Sequence, residues 1–177
     1  MFQREGYAAT SWRALVEEAG TPWGSISHHF PGGKEELGIA ALEAGGDAVA
    51  ALIEHCFAEK ASPEEAISLW FSLSGKYLEA SGYTTGCPVA TVALEASPGL
   101  PGLREVAGTS FSRWESLISR RLRDAGATRV KANEAAEVVL ALMEGSLLLA
   151  RVQGRTRPMR SGSRQAQLAV AHAIGNS

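Results

Sequence analysis

Apolar residues recur along most of the chain at steps of three and four, the spacing of amphipathic helices. Between Leu37 and Phe57 they fall at Leu37, Ala40, Ala41, Ala44, Ala48, Val49, Leu52, Ile53, Cys56 and Phe57, which predicts one long helix. Ser62-Pro63-Glu64-Glu65 predicts the start of the next, with Ser62 as N-cap, Pro63 at the first helical position and acids in the first turn. That helix sets Ala66, Ile67, Trp70, Phe71, Ser74, Tyr77 and Leu78 on one face and stops at Ser81-Gly82. Pro98, Gly99, Pro101 and Gly102 break the chain after Ser97. Beyond the break, Phe111, Trp114, Leu117, Ile118 and Leu122 line one side of a helix that ends near Gly126, with a charged, solvated face opposite. A further helix spans Val130 to Val152, and past Gly145 it turns apolar all round at Leu147 to Ala150. A helix without a polar face is buried on every side or pairs with another subunit. A polar stretch from Gln153 to Arg164, rich in arginine, reads as a solvated connection before a last helix through Gln167, Leu168, Val170, Ala171 and Ile174. There is no strand pattern and no repeat, so the expected fold class is all-α.

The first 46 residues carry denser punctuation. Thr10 or Ser11 caps a short helix, Trp12 to Ala19, with Leu15, Val16 and Ala19 inward, and Gly20 suits a left-handed C′ position. Thr21-Pro22 opens a second short helix through Phe30; Pro31-Gly32-Gly33 ends it, and Lys34-Glu35-Glu36-Leu37 starts the long one. Two helices joined by a tight Gly-containing turn make a helix-turn-helix, and in DNA-binding versions the second helix enters the major groove. Trp23, between Pro22 and Gly24, has little apolar company, which favours an exposed, DNA-facing indole over a core one. The expected domains are a helix-turn-helix head at 1–46 and a helical body at 47–177.

Three blocks of residues resemble one known family. Gly6-Tyr7-Ala8-Ala9-Thr10-Ser11 with Leu15-Val16-Glu17-Glu18-Ala19-Gly20 and His28-His29-Phe30-Pro31-Gly32-Gly33-Lys34 is similar to the DNA-binding domain of TetR/AcrR-type repressors. His-His-Phe-Pro-Gly-Gly-Lys resembles the LmrA/YxaF branch, as do Gly86-Cys87-Pro88-Val89-Ala90-Thr91-Val92-Ala93-Leu94-Glu95 and Glu144-Gly145-Ser146-Leu147-Leu148-Leu149-Ala150-Arg151. The resemblance implies a homodimer with a DNA head, a ligand-binding body and a dimer seam formed by the last two helices. It implies a near-palindromic double-stranded DNA operator, released when a small, hydrophobic effector binds. By the same resemblance Thr10, Ser11, His28 and Lys34 stand where phosphate contacts are expected. Thr21, Pro22, Trp23, Gly24, Ser25 and His29 stand at the base- and sugar-facing end. Trp70, Phe71, Tyr77, Phe111, Trp114 and Met143 are inward aromatic or soft residues, more often core than pocket, and are the candidates for an effector cavity.

Composition qualifies this reading. The 177 residues hold 17 Lys and Arg against 19 Asp and Glu, and 45% are hydrophobic. That suits a packed globular chain, and any polyanion binding must come from a local patch or from fixed geometry. No apolar run nears the roughly 18 residues of a membrane span, and no signal peptide is evident, so a cytoplasmic location is expected. Residues 1–46 hold three basic residues (Arg4, Arg13 and Lys34) against six glutamates, a net charge of −3, whereas a DNA head is usually basic. Members of the family have a full first helix ahead of the stretch matching Phe2 to Tyr7, so the first helix is expected to be incomplete here. Ser27 stands where the family favours an aromatic, and Trp23 where this branch often has a basic or small residue. These departures keep a second reading open, a ligand-binding dimer without functional DNA binding. A third reading makes Cys87 a redox sensor, its thiol at a helix start before Pro88, against a small buried capping residue. Cys56 reads as core. The neighbouring His28 and His29 point about 100° apart on a helix and lack further ligands at metal spacing. There is no phosphate loop, nucleophile elbow or Glu-x-x-His step, so neither an enzyme nor a cofactor is expected.

Overall fold

A computed structural model describes residues 1–95 and 99–175; Ser97 and Pro98, part of the expected break, lie outside them. The described residues form nine α-helices and no strand: α1 (Phe2–Ala9), α2 (Trp12–Ala19), α3 (Trp23–His29), α4 (Gly33–Glu59), α5 (Pro63–Ala80), α6 (Ala90–Ala93), α7 (Pro101–Asp124), α8 (Arg129–Gln153) and α9 (Arg157–Ile174). The all-α expectation holds. The chain divides into two compact units, Met1–Asp47 with Cys87–Ser110, and Ala48–Gly86 with Phe111–Ser177.

In the first unit local signals fix the short helices. Ser11, not Thr10, caps α2 by accepting from the Ala14 N–H (3.1 Å), and Gly20 closes it at φ 61°, ψ 25°. The core under these helices is small. Of the three residues expected inward on α2, Val16 is buried, Leu15 half-buried and Ala19 exposed. The start of α4 corrects the sequence reading more strongly. Ala41, Ala44 and Ala48, taken there as the apolar face, are exposed, while Gly38, Leu42 and Gly46 are buried. A Cβ on Gly38 would sit 2.9 Å from the Tyr7 ring and 3.2 Å from Leu103, so the missing side chain is what lets those residues close onto the helix. Hydropathy favours alanine over glycine, and here close approach decides.

In the second unit the Ser62 cap is as expected, accepting from the Glu65 N–H at 3.2 Å. Helix α5 buries Ala66, Ile67, Trp70, Phe71, Gly75 and Leu78. Helices α8 and α9 form a hairpin through Gly154, left-handed at φ 60°. The polar stretch expected to connect them is instead largely helical. Arg157 starts α9, with Pro158 in its first turn, and Met159, Gly162, Ser163 and Ala166 are buried at helical spacing. Glycine and serine fill these close-packed positions, so the buried stripe carries no hydropathic signal. Leu148, Leu149 and Val152 on α8 and Leu168 on α9 are exposed. The expected all-round apolar end of α8 is therefore uncovered on one side within this chain.

Candidate nucleic-acid interface

The turn from α2 to α3 presents the N-terminus of α3 to solvent. Pro22 stands at its N-cap, with the Ser25 N–H bonded back to the Pro22 carbonyl at 2.9 Å, and α3 has no buried residue. Trp23 opens the helix with 56% of its surface exposed, which excludes the core-packing reading. Thr21, Pro22, Gly24, His28 and His29 are also exposed and Ser25 is half-buried, so these residues share one accessible element. The two imidazoles meet edge-on, with ring centroids 5.6 Å apart. Ser11 is exposed at the start of α2.

Two of the expected phosphate contacts sit differently. Thr10 is fully buried, and its hydroxyl donates to the Gly6 carbonyl at 2.7 Å. Its place is in the head's frame, and of the two residues Ser11 is the exposed one. Lys34 is half-buried at the start of α4, its Nζ 4.3 Å from the centroid of the Tyr7 ring, which in turn stacks on Phe2 at 5.6 Å. Burial, and to a lesser degree the Glu35 carboxylate, pushes the Tyr7 phenol up from its ordinary value near 10. The ring under the ammonium therefore stays neutral. The sequence reading missed Tyr7 as a support for Lys34, since a separation of 27 positions along the chain leaves no local signal for the pair.

Both arginines of the head are engaged with glutamates. Arg4 reaches Glu18 at 3.1 Å and Arg13 reaches Glu17 at 2.8 Å. Glu36 accepts from the Gly32 N–H at 2.7 Å, holding the turn before α4. Glu95, just after α6, accepts from the Ala8 N–H at 2.6 Å, where Gly6 breaks the first helix at φ 82°, ψ 176°. Among residues 1–46, Lys34 is the one Lys or Arg side chain with no carboxylate partner among the described residues.

Comparison with known proteins decides what this head belongs to. A family model described as "Transcriptional regulator LmrA/YxaF-like, C-terminal domain" matches residues 63–165, and one described as "Bacterial regulatory proteins, tetR family" matches residues 1–41. The chain is 34% identical over 149 residues to YxaF, an HTH-type transcriptional regulator of Bacillus subtilis, covering 84% of this chain and 78% of that one. It is 31% identical over 159 residues to LmrA of the same organism, covering 90% and 85%. The chain belongs to the TetR family, in its LmrA/YxaF-like branch. Solved structures of TetR regulators from Rhodobacter sphaeroides (TM-score 0.85, 22% identity, 95% and 92% covered) and Legionella pneumophila (0.80, 23%, 94% and 89%) share its fold. The protein is thus a transcriptional regulator of TetR type.

The six effector candidates of this TetR-family chain do not come together as a set. Trp70, Phe71, Trp114 and Met143 are buried, and Phe111, half-buried, meets Trp114 edge-on at 5.2 Å. Tyr77 corrects the face assigned to α5. The helical spacing puts it beside Trp70, but it lies in the last turn and is 59% exposed. Cys87 is buried, and its Sγ accepts from the Ala90 N–H at 3.4 Å. That is a capping role at the start of α6 and does not favour the redox reading. Cys56 is buried as expected, and burial pushes its thiol up to about 11. No helix among the described residues is long and apolar enough to cross a membrane.

Proposed function

We propose that this TetR-family regulator is a cytoplasmic repressor that binds a near-palindromic operator as a homodimer and releases it when a small hydrophobic effector enters the body. In this reading residues 1–46 bind DNA, residues 47–177 bind the effector and the second subunit, and the protein catalyses no reaction. The exposed indole of Trp23 at the start of α3 carries the reading, because an uncovered tryptophan beside Pro22 and Gly24 has no packing role in the head. It is suited to apolar contact with a thymine methyl in the major groove. Thr21, Ser25 and His29 supply hydrogen-bonding groups around it, and Ser11, His28 and Lys34 the phosphate contacts. The effector site lies at Trp70, Phe71, Phe111, Trp114 and Met143, and Tyr77 stands outside it. The exposed Leu148, Leu149, Val152 and Leu168 supply an apolar face for the second subunit.

The test is fluorescence anisotropy of labelled DNA from the gene's own upstream region against random DNA. The native protein is expected to prefer the upstream site. Trp23→Ala is expected to relax that preference while keeping random-DNA affinity, and Lys34→Ala to weaken both alike. Equal loss on both DNAs for Trp23→Ala would remove the indole from base readout.

A further inference from the structure

A groove of about 420 Å³ runs between α5 and α9 in the second unit, and neither operator binding nor the interior effector candidates account for its chemistry. Its volume is in the ordinary range for small-molecule sites. Phe71, Gly75 and Met159 form an apolar floor, while Lys76, Arg160 and Arg164 stand along its rim.

Two features mark it as built for a ligand of mixed character. The first is the floor. Gly75 is buried in the middle of an 18-residue helix, where glycine weakens the helix relative to alanine. A Cβ there would meet Met159 at 3.5 Å, an ordinary contact, so neither steric conflict nor a special φ demands the glycine. Its effect is to leave the floor deeper by one carbon. The second is the charge. Lys76, Arg160 and Arg164 form no ion pair with a carboxylate among the described residues. Arg160 and Arg164 instead donate to hydroxyls of their own helix, Thr156 at 3.2 Å and Ser161 at 3.3 Å. The groove's one acid, Glu79, accepts from the Tyr83 hydroxyl at 3.3 Å. The first turn of α9, which faces the same end, holds no acidic residue, so the helix dipole adds to the positive potential there.

We propose that the α5–α9 groove binds an amphipathic carboxylate, its apolar chain on Phe71, Gly75 and Met159 and its carboxylate among Lys76, Arg160 and Arg164. The groove shares Phe71 with the hydrophobic effector candidates, but none of its other lining residues is among them, and the proposal stands whether or not the repressor reading does, because its test needs no DNA. Isothermal titration of the full chain with octanoate, 1-octanol and acetate separates the contributions of chain and charge. Octanoate is expected to bind saturably and more weakly as salt rises, with acetate failing to saturate. Arg160→Gln/Arg164→Gln is expected to weaken octanoate at least tenfold while leaving any 1-octanol binding unchanged. Gly75→Ala, which the neighbouring contacts accommodate, is expected to weaken octanoate several-fold with the charges intact. Octanoate binding unaffected by the double substitution would place it elsewhere in the body and overturn the proposal. So would no saturable octanoate binding at millimolar concentration, or acetate binding as well as octanoate.

Discussion

Gly6→Ala tests how the N-terminal unit is held together. Gly6 sits at φ 82°, ψ 176°, a region essentially reserved for glycine, and its hydrogen-bonded neighbourhood includes the carboxylate that holds Ala8. A methyl group at Gly6 would fall on the Glu95 carboxyl group. That end of the glutamate is flexible, so the overlap is relieved by swinging it away, at the cost of its 2.6 Å bond from the Ala8 N–H. The backbone strain has no such escape. Strain of about 1–3 kcal/mol and a lost hydrogen bond of about 0.5–1.5 kcal/mol are offset by about 0.4–1 kcal/mol from a stiffer unfolded chain. The net expected loss is about 0.5–4 kcal/mol, read as a shift of the urea midpoint at unchanged m-value. Gly24→Ala, at a position with open space around it, is the control and should change stability little. In a Glu95→Ala background the Gly6→Ala cost should shrink to the strain alone, and the difference is the coupling between the two sites. Gly6→Ala as harmless as Gly24→Ala would refute the strain argument, and an equal cost in both backgrounds would refute the Glu95 contact.

Other expectations follow from single features. With one cation free of carboxylates per head, log affinity for DNA should fall against log salt with a slope of about −2 per dimer; a slope several times steeper in anisotropy titrations would mean that further cations neutralise phosphates. The raised Cys56 thiol should add stability that is complete below its ordinary value near 9 and lost as pH climbs from there to about 11. The loss amounts to about 2–3 kcal/mol, and the gap between wild type and Cys56→Ala in denaturant titrations should close by that amount; a pH-independent gap would contradict it. Ser62→Ala should cost about 1 kcal/mol through the lost cap on α5, visible as a lower thermal midpoint, with Ser62→Asp close to wild type.

The parts of this fold legible in the sequence are those fixed by neighbours in the chain. Ser62 before Pro63 and two glutamates, or Gly20 after Ala19, announces a helix end because the bonds involved span three or four residues. The inward face of α7 was legible because large apolar side chains mark it, whereas α8 packs in large part through alanines and leaves Val138, Leu148 and Leu149 exposed. Where glycine or serine does the packing, as at Gly38 and Gly46 on α4 or Gly162 and Ser163 on α9, hydropathy points to the wrong face or to a loop. Tyr77 shows the opposite error, since helical spacing places it inward, but only the Leu78 side of the last turn of α5 is covered and Tyr77 faces away from it. In the head, the exposed Trp23 could be anticipated from its small and rigid neighbours. The burial of Thr10, the seat of Lys34 on Tyr7 and the reach of Glu95 to Ala8 depend on contacts between distant segments, which no local pattern encodes.

The pairing of Arg4 with Glu18 and of Arg13 with Glu17 bears on how such a regulator would find its operator. Proteins with many free cations linger on arbitrary DNA and travel along it, because counterion release rewards any sequence equally. A head whose arginines are already occupied gains little from that term, so most of the genome is a weak competitor for it. Arrival at the operator is then governed by three-dimensional diffusion, with little help from sliding. Fewer molecules are held on decoy sites, and a larger share of a small cellular pool stays free to meet both operator and effector.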